Sequence, residues 1–566
     1  MDGASTKRSR SGCITCKIRR VKCDETKPAC SRCTSAGRIC DGYASSTTSH
    51  QSRRALAAAV RQLQVVGPAS RVLGDALPVD DVACFDFFRL CTASMTGSVL
   101  PGEFWSRQLL QASHAEPAVW RAAAAIGALH RRWEHTNVRK TRSATGQVAV
   151  DIGRFTEQGV RHYHAAISLA KSVSNPASLA VISVALAAAA HLAGRWAEVH
   201  VHMRAGLHLL RRMEAGELVN EASALASPSD LRALAHTLER FDLQSMVFAD
   251  VRAPYDYANA DVPIADLAPL LARRPLGQNP LALDEDMEHA ALAIFRIFRR
   301  FCILGVAIGM GLMAFPEFET AHNEMVDECV NLETVLRDLE GTIHTPHHGL
   351  VGGESKEQQK RRQERQQKIL SLRLYHTLTG LALAAGLFGP EVRWDAHLDS
   401  FERMVAIAAE LARRTESPLP FFFSIEPGIS LPLYLTSTRC RHPYLRRRAL
   451  GLLNKLNRQE GIWNCAMAAK VAEQFILQEE EGLDIGLPLY IEENGPVQWS
   501  GFSLVQDEDR HWPALQGGWP KVPEEKRVLQ LEMRVDVPDN TLEQKIFVVG
   551  SGDSRGALVK TVTIDI

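Results

Sequence analysis

The chain has 566 residues, 65 Lys and Arg against 65 Asp and Glu, and 46% hydrophobic residues, so it can bury a large core. Its composition is that of an ordinary globular protein, which excludes an elongated polar or strongly charged chain. The opening sequence MDGASTKRSRSG has no apolar run, so we expect no secretory signal and an intracellular protein.

Six of the 12 cysteines form an internal repeat near the N-terminus, C-x2-C-x6-C in each half: Cys13, Cys16 and Cys23, then Cys30, Cys33 and Cys40. Cysteines two residues apart can converge on one ion, and zinc takes four ligands in a tetrahedron. Two zinc ions need eight ligand positions, so two of the six thiolates must bridge, most simply Cys13 and Cys30. The alternative is a disulfide framework. Because intracellular cysteine clusters are more often metal-binding than disulfide-bonded, the repeat predicts two Zn²⁺ ions.

The two halves of the repeat differ in charge. KIRRVK (17–22) carries four cations between two cysteines, whereas the equivalent stretch TSAGRI (34–39) carries one. Residues 1–43 hold ten Lys and Arg against four Asp and Glu, and the rest of the chain is slightly acidic. A small cationic module on such a chain predicts nucleic-acid binding. The alternative is a structural zinc module that contacts another protein.

The stretch SGCITCKIRRVKCDETKPACSRCTSAGRICDGY (11–43) resembles the fungal six-cysteine binuclear zinc cluster transcription factors throughout its length. The resemblance implies that Cys13 and Cys30 bridge the metals. It assigns Cys16 and Cys23 to one zinc, and Cys33 and Cys40 to the other.

In that family the first helix enters the major groove and reads a CGG triplet, which implies a role in DNA binding for Lys17, Arg19, Arg20 and Lys22. Guanine presents the O6 and N7 acceptors there, and Lys or Arg is their usual partner. We expect Arg19 and Arg20 to contact base edges. Lys17 and Lys22 can contact either bases or phosphates.

A polar linker follows the repeat, and then a helix-prone segment at 53–66 with four apolar residues at heptad spacing. A sustained coiled coil needs three to four heptads and this segment has about two. Two interpretations therefore stay open: a dimerising coiled coil, as in the family, or an exposed linker helix.

From about residue 80 to 483 the chain is rich in alanine and leucine with helical periodicity. Segments such as 84–130 and 433–463 resemble the family's α-helical regulatory domain, for which small-molecule sensing has been proposed. The apolar runs 181–194 and 301–315 are shorter than the roughly 20 residues that span a bilayer, so we expect buried core helices. The six remaining cysteines lie in apolar stretches without a C-x2-C pair, and we expect unreactive buried thiols.

A segment at about 342–368 interrupts this domain with glycines, three histidines and a basic, glutamine-rich end. Its low apolar content predicts a mobile loop that leads into a solvated helix. The histidines His344, His347 and His348 have no cysteine or carboxylate cluster beside them, and we interpret them as loop residues.

Acidic and aromatic residues mix from Glu479 to Trp519, which is typical either of an activation segment or of a segment that wraps the helical domain. Beyond it, VLQLEMRVDV (528–537), KIFVVG and KTVTIDI are separated by turn sequences. The alternation predicts a small three-stranded β meander.

No G-x-S-x-G elbow, H-E-x-x-H pair or dinucleotide-binding fingerprint occurs, and a zinc ion saturated by thiolates has no open position for catalysis. We therefore predict that the chain is not an enzyme.

The predicted fold is mainly α, with four segments: a zinc cluster domain at 8–45, a linker with a short helix at 46–79, a large all-helical regulatory domain at 80–483, and an acidic, aromatic segment with a β extension at 484–566. The predicted function is a nuclear, sequence-specific transcription factor for RNA polymerase II genes. Its predicted partners are double-stranded DNA and the transcription machinery, without a membrane. A homodimer and a small-molecule effector are open options. The alternative function is a transcriptional cofactor that uses the cluster for protein contact.

Overall fold

The computed structural model describes residues 21, 23–26, 30–35, 78–93, 104–141, 146–218, 228–248, 280–309, 311, 313–344, 355–387, 389–414, 422–461, 463–491, 519–536, 541–549 and 556–565. The chain divides into two compact units, Met1–Gly67 and Pro68–Ile566. In the first unit the described part contains one short helix, α1 (Ser31–Thr34). The predicted helix-prone segment 53–66 lies outside the described residues.

The described part of the second unit contains fourteen α-helices: α2 (Val79–Phe87), α3 (Leu109–Ser113), α4 (Pro117–Thr141), α5 (Gly146–Ala170), α6 (Pro176–Leu192), α7 (Trp196–Glu214), α8 (Pro228–Phe248), α9 (Pro280–Gly309), α10 (Phe315–His344), α11 (Lys356–Ala385), α12 (Leu398–Arg414), α13 (Ser430–Arg439), α14 (Pro443–Lys455) and α15 (Cys465–Glu479). The π-helical turns Phe88–Thr92 and Phe104–Gln108 and the 3₁₀ turn Glu391–His397 adjoin these helices, and a second 3₁₀ turn, Glu524–Lys526, follows the last of them. The mainly α prediction is confirmed.

The helices bury two apolar cores. One is built by α2 to α8, and the other by α9 to α15. Helix α6 is buried on nearly every face because its run of alanine, valine and leucine leaves no polar side. Its start is fixed by Pro176 in the first turn and by the Asn175 side chain, which accepts a hydrogen bond from the Ser178 amide at 3.0 Å.

The first apolar run forms a core helix, as predicted, and the second does so as far as Gly309, whereas Phe315 at its end is 60% exposed. The first lies mostly in α6, and the second continues α9, where Phe301 and Leu304 are buried. Among the described residues, no helix combines the length and the apolar character that crossing a membrane requires.

A small sheet inside the helical region was not predicted. Strand β1 (Phe422–Ser424) pairs in parallel with β2 (Arg458–Glu460), and β2 pairs antiparallel with β3 (Trp463–Asn464). The expectation of an all-helical domain was wrong here, because strands of two or three residues give no periodicity. In addition, β2 buries the polar sequence Arg-Gln-Glu rather than an apolar one.

The predicted C-terminal meander is present. Strands β4 (Val528–Asp536), β5 (Thr541–Val548) and β6 (Ala557–Asp565) form an antiparallel sheet in that order. Alternate side chains of β5 are buried, as expected for a sheet with one face on a core.

Helices occupy both ends of the predicted 342–368 loop. Helix α10 continues through His344, so residues 342–344 are helical, contrary to the loop prediction, whereas α11 begins at Lys356 and supplies the helix that was predicted to follow the loop. Residues 357–364 of α11 are exposed, in agreement with a solvated helix. His347 and His348 lie outside the described residues.

The acidic, aromatic segment is described only at its beginning and end. Leu489 and Tyr490 pack against the second core, and the Tyr490 hydroxyl donates to Glu473 at 2.7 Å. The segment therefore begins by wrapping the helical unit. Residues 492–518 lie outside the described part of the chain.

Candidate metal centre

Three cysteines of the repeat lie together in the first unit. Cys23, Cys30 and Cys33 are 5%, 0% and 0% exposed, with Val21 packed against them. A thiol cluster at the centre of so short a stretch is typical of a metal-stabilised module, since a small domain cannot bury enough apolar surface.

The spacing of the Cys23 and Cys30 sulfurs fits a shared ion. The sulfurs of Cys23 and Cys30 and a carboxylate oxygen of Asp24 lie within 4.8 Å of one another. Two sulfurs on one tetrahedral zinc, each at about 2.3 Å, lie about 3.8 Å apart. In the described part of the chain, no second group of three His, Cys, Asp or Glu side chains meets that spacing.

Backbone amides point at two of the sulfurs. Cys30 is the N-cap of α1, and its Sγ accepts a hydrogen bond from the Cys33 amide at 3.3 Å. The Glu25 amide donates to Cys23 Sγ at 3.4 Å. Such hydrogen bonds favour the thiolate, the form of cysteine that binds metal.

Asp24 connects the two halves of the repeat. Its carboxylate accepts hydrogen bonds from the amides of Ser31 at 3.0 Å and Arg32 at 3.2 Å, and a short one from the Thr26 hydroxyl. The hydrogen bond from Thr26, followed by those from Ser31 and Arg32, holds the pKa of Asp24 well below its usual range. The carboxylate is therefore ionised at neutral pH.

Sequence reasoning did not assign a role to Asp24. Local capping motifs place the capping residue next to the helix start, but Asp24 reaches a helix that begins seven positions later. Only the folded loop brings them together, although the capping chemistry of aspartate is a general signal.

Several predicted site residues cannot be placed. Three of the cysteines lie outside the described residues, as do all four predicted DNA contacts: Cys13, Cys16, Cys40, Lys17, Arg19, Arg20 and Lys22. The assignment of bridging sulfurs and of base contacts therefore stays a prediction.

The cysteines of the helical unit differ from those of the repeat. Burial raises the pKa of the thiol in each: Cys84, Cys91, Cys302, Cys329, Cys440 and Cys465. Four of them are buried, while Cys91 and Cys302 are partly buried. For Cys440 burial raises the pKa to about 11, so the thiol stays protonated and unreactive at neutral pH.

A cleft in the helical unit is lined in part by Tyr375, Glu426, Arg458 and Glu460. Its polar groups already have partners: Arg458 Nε lies 2.8 Å from Glu460, and the Tyr375 hydroxyl donates to the Gly428 carbonyl at 2.7 Å. The cleft does not identify an effector, which stays an open option.

Comparison with known proteins matches both units. Residues 11–49 match the family described as "Fungal Zn(2)-Cys(6) binuclear cluster domain", and residues 84–251 match "Fungal specific transcription factor domain".

The relatives match over very different lengths. The aspercryptin biosynthesis cluster-specific transcription regulator atnN of Emericella nidulans is 23% identical over 85% of this chain and 89% of its own length. The transcription regulator lscL of Purpureocillium lilacinum is 29% identical over 38% of this chain and 51% of its own. The transcriptional regulatory protein moc3 of Schizosaccharomyces pombe is 51% identical over 8% of this chain and 9% of its own. No solved structure matches the chain. Residues 11–49 and 84–251 therefore match a fungal Zn(2)-Cys(6) binuclear cluster domain and a fungal specific transcription factor domain, and the relatives named here are fungal transcription regulators.

Proposed function

We propose that the chain is a nuclear, sequence-specific DNA-binding regulator of RNA polymerase II genes that reads CGG-type triplets. The observation that supports this most directly is the convergence of Cys23, Cys30 and Cys33 in a small unit that also contains KIRRVK. The family matches of both units support the same role.

In this proposal the zinc-binding residues are the six cysteines of the repeat, with Cys13 and Cys30 shared between two ions. Bound zinc supplies cross-links that a short module with few apolar residues needs in order to fold. The described cysteines fit this role, since Cys23, Cys30 and Cys33 are buried together and the sulfurs of Cys23 and Cys30 accept backbone N–H groups. Six thiolates shared between two ions leave no open position, so the centre is structural rather than catalytic.

The proposed readers of DNA are Arg19 and Arg20 on guanine edges, with Lys17 and Lys22 on bases or phosphates. Phosphate contacts supply much of the affinity and make it fall steeply with salt. The remaining partners in the proposal are the transcription machinery, a second copy of the chain and a small-molecule effector.

Selection from randomised duplex DNA with zinc-loaded full-length protein tests the function. We expect enrichment of CGG triplets. An Arg20→Ala variant should lose triplet preference by about 1–3 kcal/mol of discrimination while it keeps most of its nonspecific affinity. If both zinc ions are bound and no sequence is enriched, the cluster does not read DNA, and a cofactor that uses it for protein contact becomes the better interpretation.

A further inference from the structure

The described part of the first unit ties its two halves together through one carboxylate. Asp24 follows Cys23 of the first half, and its two oxygens accept the Ser31 and Arg32 amides of the second half at 3.0 and 3.2 Å. The next amide, that of Cys33, donates to the Cys30 side chain. The Ser31 and Arg32 amides thus both donate to Asp24, and the Cys33 amide donates to the carbonyl oxygen and the sulfur of Cys30 at 3.0 and 3.3 Å.

Helix α1 has only four residues, so its own hydrogen bonds cannot hold it in place. A helix leaves its first amides without internal partners, and here the external acceptors are what fix its position. Because Cys30 and Cys33 belong to this turn, the group that holds its start also sets where both sulfurs point.

The loop is shaped to make this contact. Glu25 has a φ of 61°, in the left-handed region that residues other than glycine seldom adopt. This conformation falls directly after Asp24, within the loop from which its carboxylate contacts α1. The Thr26 hydroxyl donates to Asp24 and lies 3.0 Å from the Ser31 hydroxyl, which closes the loop on both sides of the carboxylate.

We propose that Asp24 is a positioning residue that joins the two halves of the cysteine repeat and sets the arrangement of Cys23, Cys30 and Cys33 for metal. The proposal rests on the proposed function, since it concerns the same zinc centre. Asp24 acts through the backbone of α1 and is not itself a ligand. Loss of its two acceptor oxygens would remove the side-chain acceptor of the Arg32 amide, leave the Ser31 amide only the longer contact to the Thr26 hydroxyl at 3.3 Å, and so loosen the turn that directs the sulfurs of the second half.

The test compares zinc-loaded full-length protein with the variants Asp24→Ala, Asp24→Asn and Glu25→Gln. Zinc per chain is measured first, and then the competition for zinc with a chelator. Groups that orient metal ligands typically contribute about 10- to 100-fold to metal affinity, so Asp24→Ala should bind zinc more weakly by about that factor. Asp24→Asn keeps one acceptor oxygen, so its zinc affinity should lie between that of the unmodified protein and that of Asp24→Ala.

Glu25→Gln is the matched control, because it removes the same charge one position away and leaves the amide contacts of Asp24 in place. Its zinc affinity should equal that of the unmodified protein. If Glu25→Gln and Asp24→Ala lost zinc affinity equally, the negative charge of the loop rather than the hydrogen bonds of Asp24 would account for the loss. That result would overturn the proposal. Unchanged affinity in Asp24→Ala would overturn it as well.

Cobalt substitution separates positioning from ligation. If Asp24 only positions, Co²⁺-loaded Asp24→Asn should show the same thiolate charge-transfer and d–d bands as the unmodified protein at saturating cobalt. A changed d–d envelope with Asn would make Asp24 a direct ligand and overturn the positioning role. Failure of the unmodified protein to bind two zinc ions would instead overturn the proposed centre itself, a result visible before any variant is compared.

Discussion

At the scale of single residues, the surroundings of each cysteine decide its chemistry. Cys30 has no exposed surface, but its sulfur receives an amide N–H and lies beside Cys23. Cys440 is also buried, yet it lies in an apolar core where burial raises the thiol pKa to about 11. The same residue type is therefore poised for metal in one unit and acts as a small apolar side chain in the other.

This contrast predicts the effect of removing one sulfur. Cys30→Ala should lose both zinc ions, because in the proposed centre its thiolate bridges the two ions, and its sulfur also caps α1. Zinc per chain is measured by elemental analysis of the purified protein. Cys440→Ala, a control in the helical unit, should keep two ions. Retention of two ions by Cys30→Ala would contradict the bridging assignment.

At the scale of elements, buried arginine–glutamate pairs join the last helices of the chain. Glu479 at the end of α15 is fully buried and lies 2.8 Å from Arg441 and from Arg446. It also accepts the Val528 amide of β4 at 2.9 Å. One carboxylate therefore connects α14, α15, the segment between α13 and α14, and the C-terminal sheet.

The sequence predicted the helices of this region but not their ionic contacts. The run of acidic residues at 479–481 would be expected to face solvent, and the arginine-rich sequence around α14 likewise. Glu479 and Glu480 are buried because complementary arginines on α14 meet them, and such pairing depends on tertiary packing. In contrast, the meander was predictable because the apolar alternation along 528–537, the segment that forms β4, is a local sign of a strand with one buried face.

The surroundings of Glu479 also predict how the free energy of unfolding depends on pH. Burial acts to raise its pKa, but Arg446 and Arg441 outweigh burial and hold the pKa below the ordinary value of 4.5. A carboxyl with a lowered folded-state pKa adds stability that is present above about 4.5 and is lost as the pH falls through the folded value. The free energy of unfolding should therefore decline below pH 4.5.

The Glu479→Gln variant checks this. Removing one partner of a buried ion pair costs about 3–5 kcal/mol, so at pH 7 the variant should unfold at lower denaturant concentration. Its loss of stability between pH 5 and 3 should be shallower than that of the unmodified protein. The control Glu319→Gln, at an exposed position of α10, should change neither quantity. If Glu479→Gln lost stability between pH 5 and 3 as steeply as the unmodified protein, groups other than Glu479 would account for the acid dependence.

At the scale of the whole molecule, the C-terminal meander is part of the helical unit rather than an appendage. Leu542 and Ile564 belong to the second core, and Arg439 of α13 donates to the Val528 carbonyl at 3.0 Å. Arg527 pairs with Asp395 at 2.7 Å beside the 3₁₀ turn. The predicted division into a helical domain and a C-terminal extension follows a change in sequence composition. The second apolar core, however, contains residues from both sides of that division.

The meander was read from the sequence as a local feature, and its packing was not. Alternating residues identify a sheet face that must be buried, but they do not say against which helices. Likewise, the cysteine spacing predicted the metal centre because the ligands lie close together in the sequence. The role of Asp24 was not predicted, because its contacts with α1 form only when the intervening loop folds.

A matched pair of leucines in the meander tests this integration. Leu542 has no exposed surface and lies in the core shared with the helices, whereas Leu558 on β6 is 54% exposed. Leu542→Ser should destabilise the helical unit by about 3 kcal/mol, since it removes buried apolar volume and buries a hydroxyl. Leu558→Ser should change stability by less than about 0.5 kcal/mol. Both are measured as denaturant unfolding of full-length protein followed by far-ultraviolet circular dichroism at the helical signal.

If Leu542→Ser left the helical transition unchanged, the sheet would be an independent element. A loss of helix stability confined to Leu542→Ser would mean that any truncation before β4 also compromises the helical unit, and that such truncations cannot be used to assign a separate activity to the C-terminal segment.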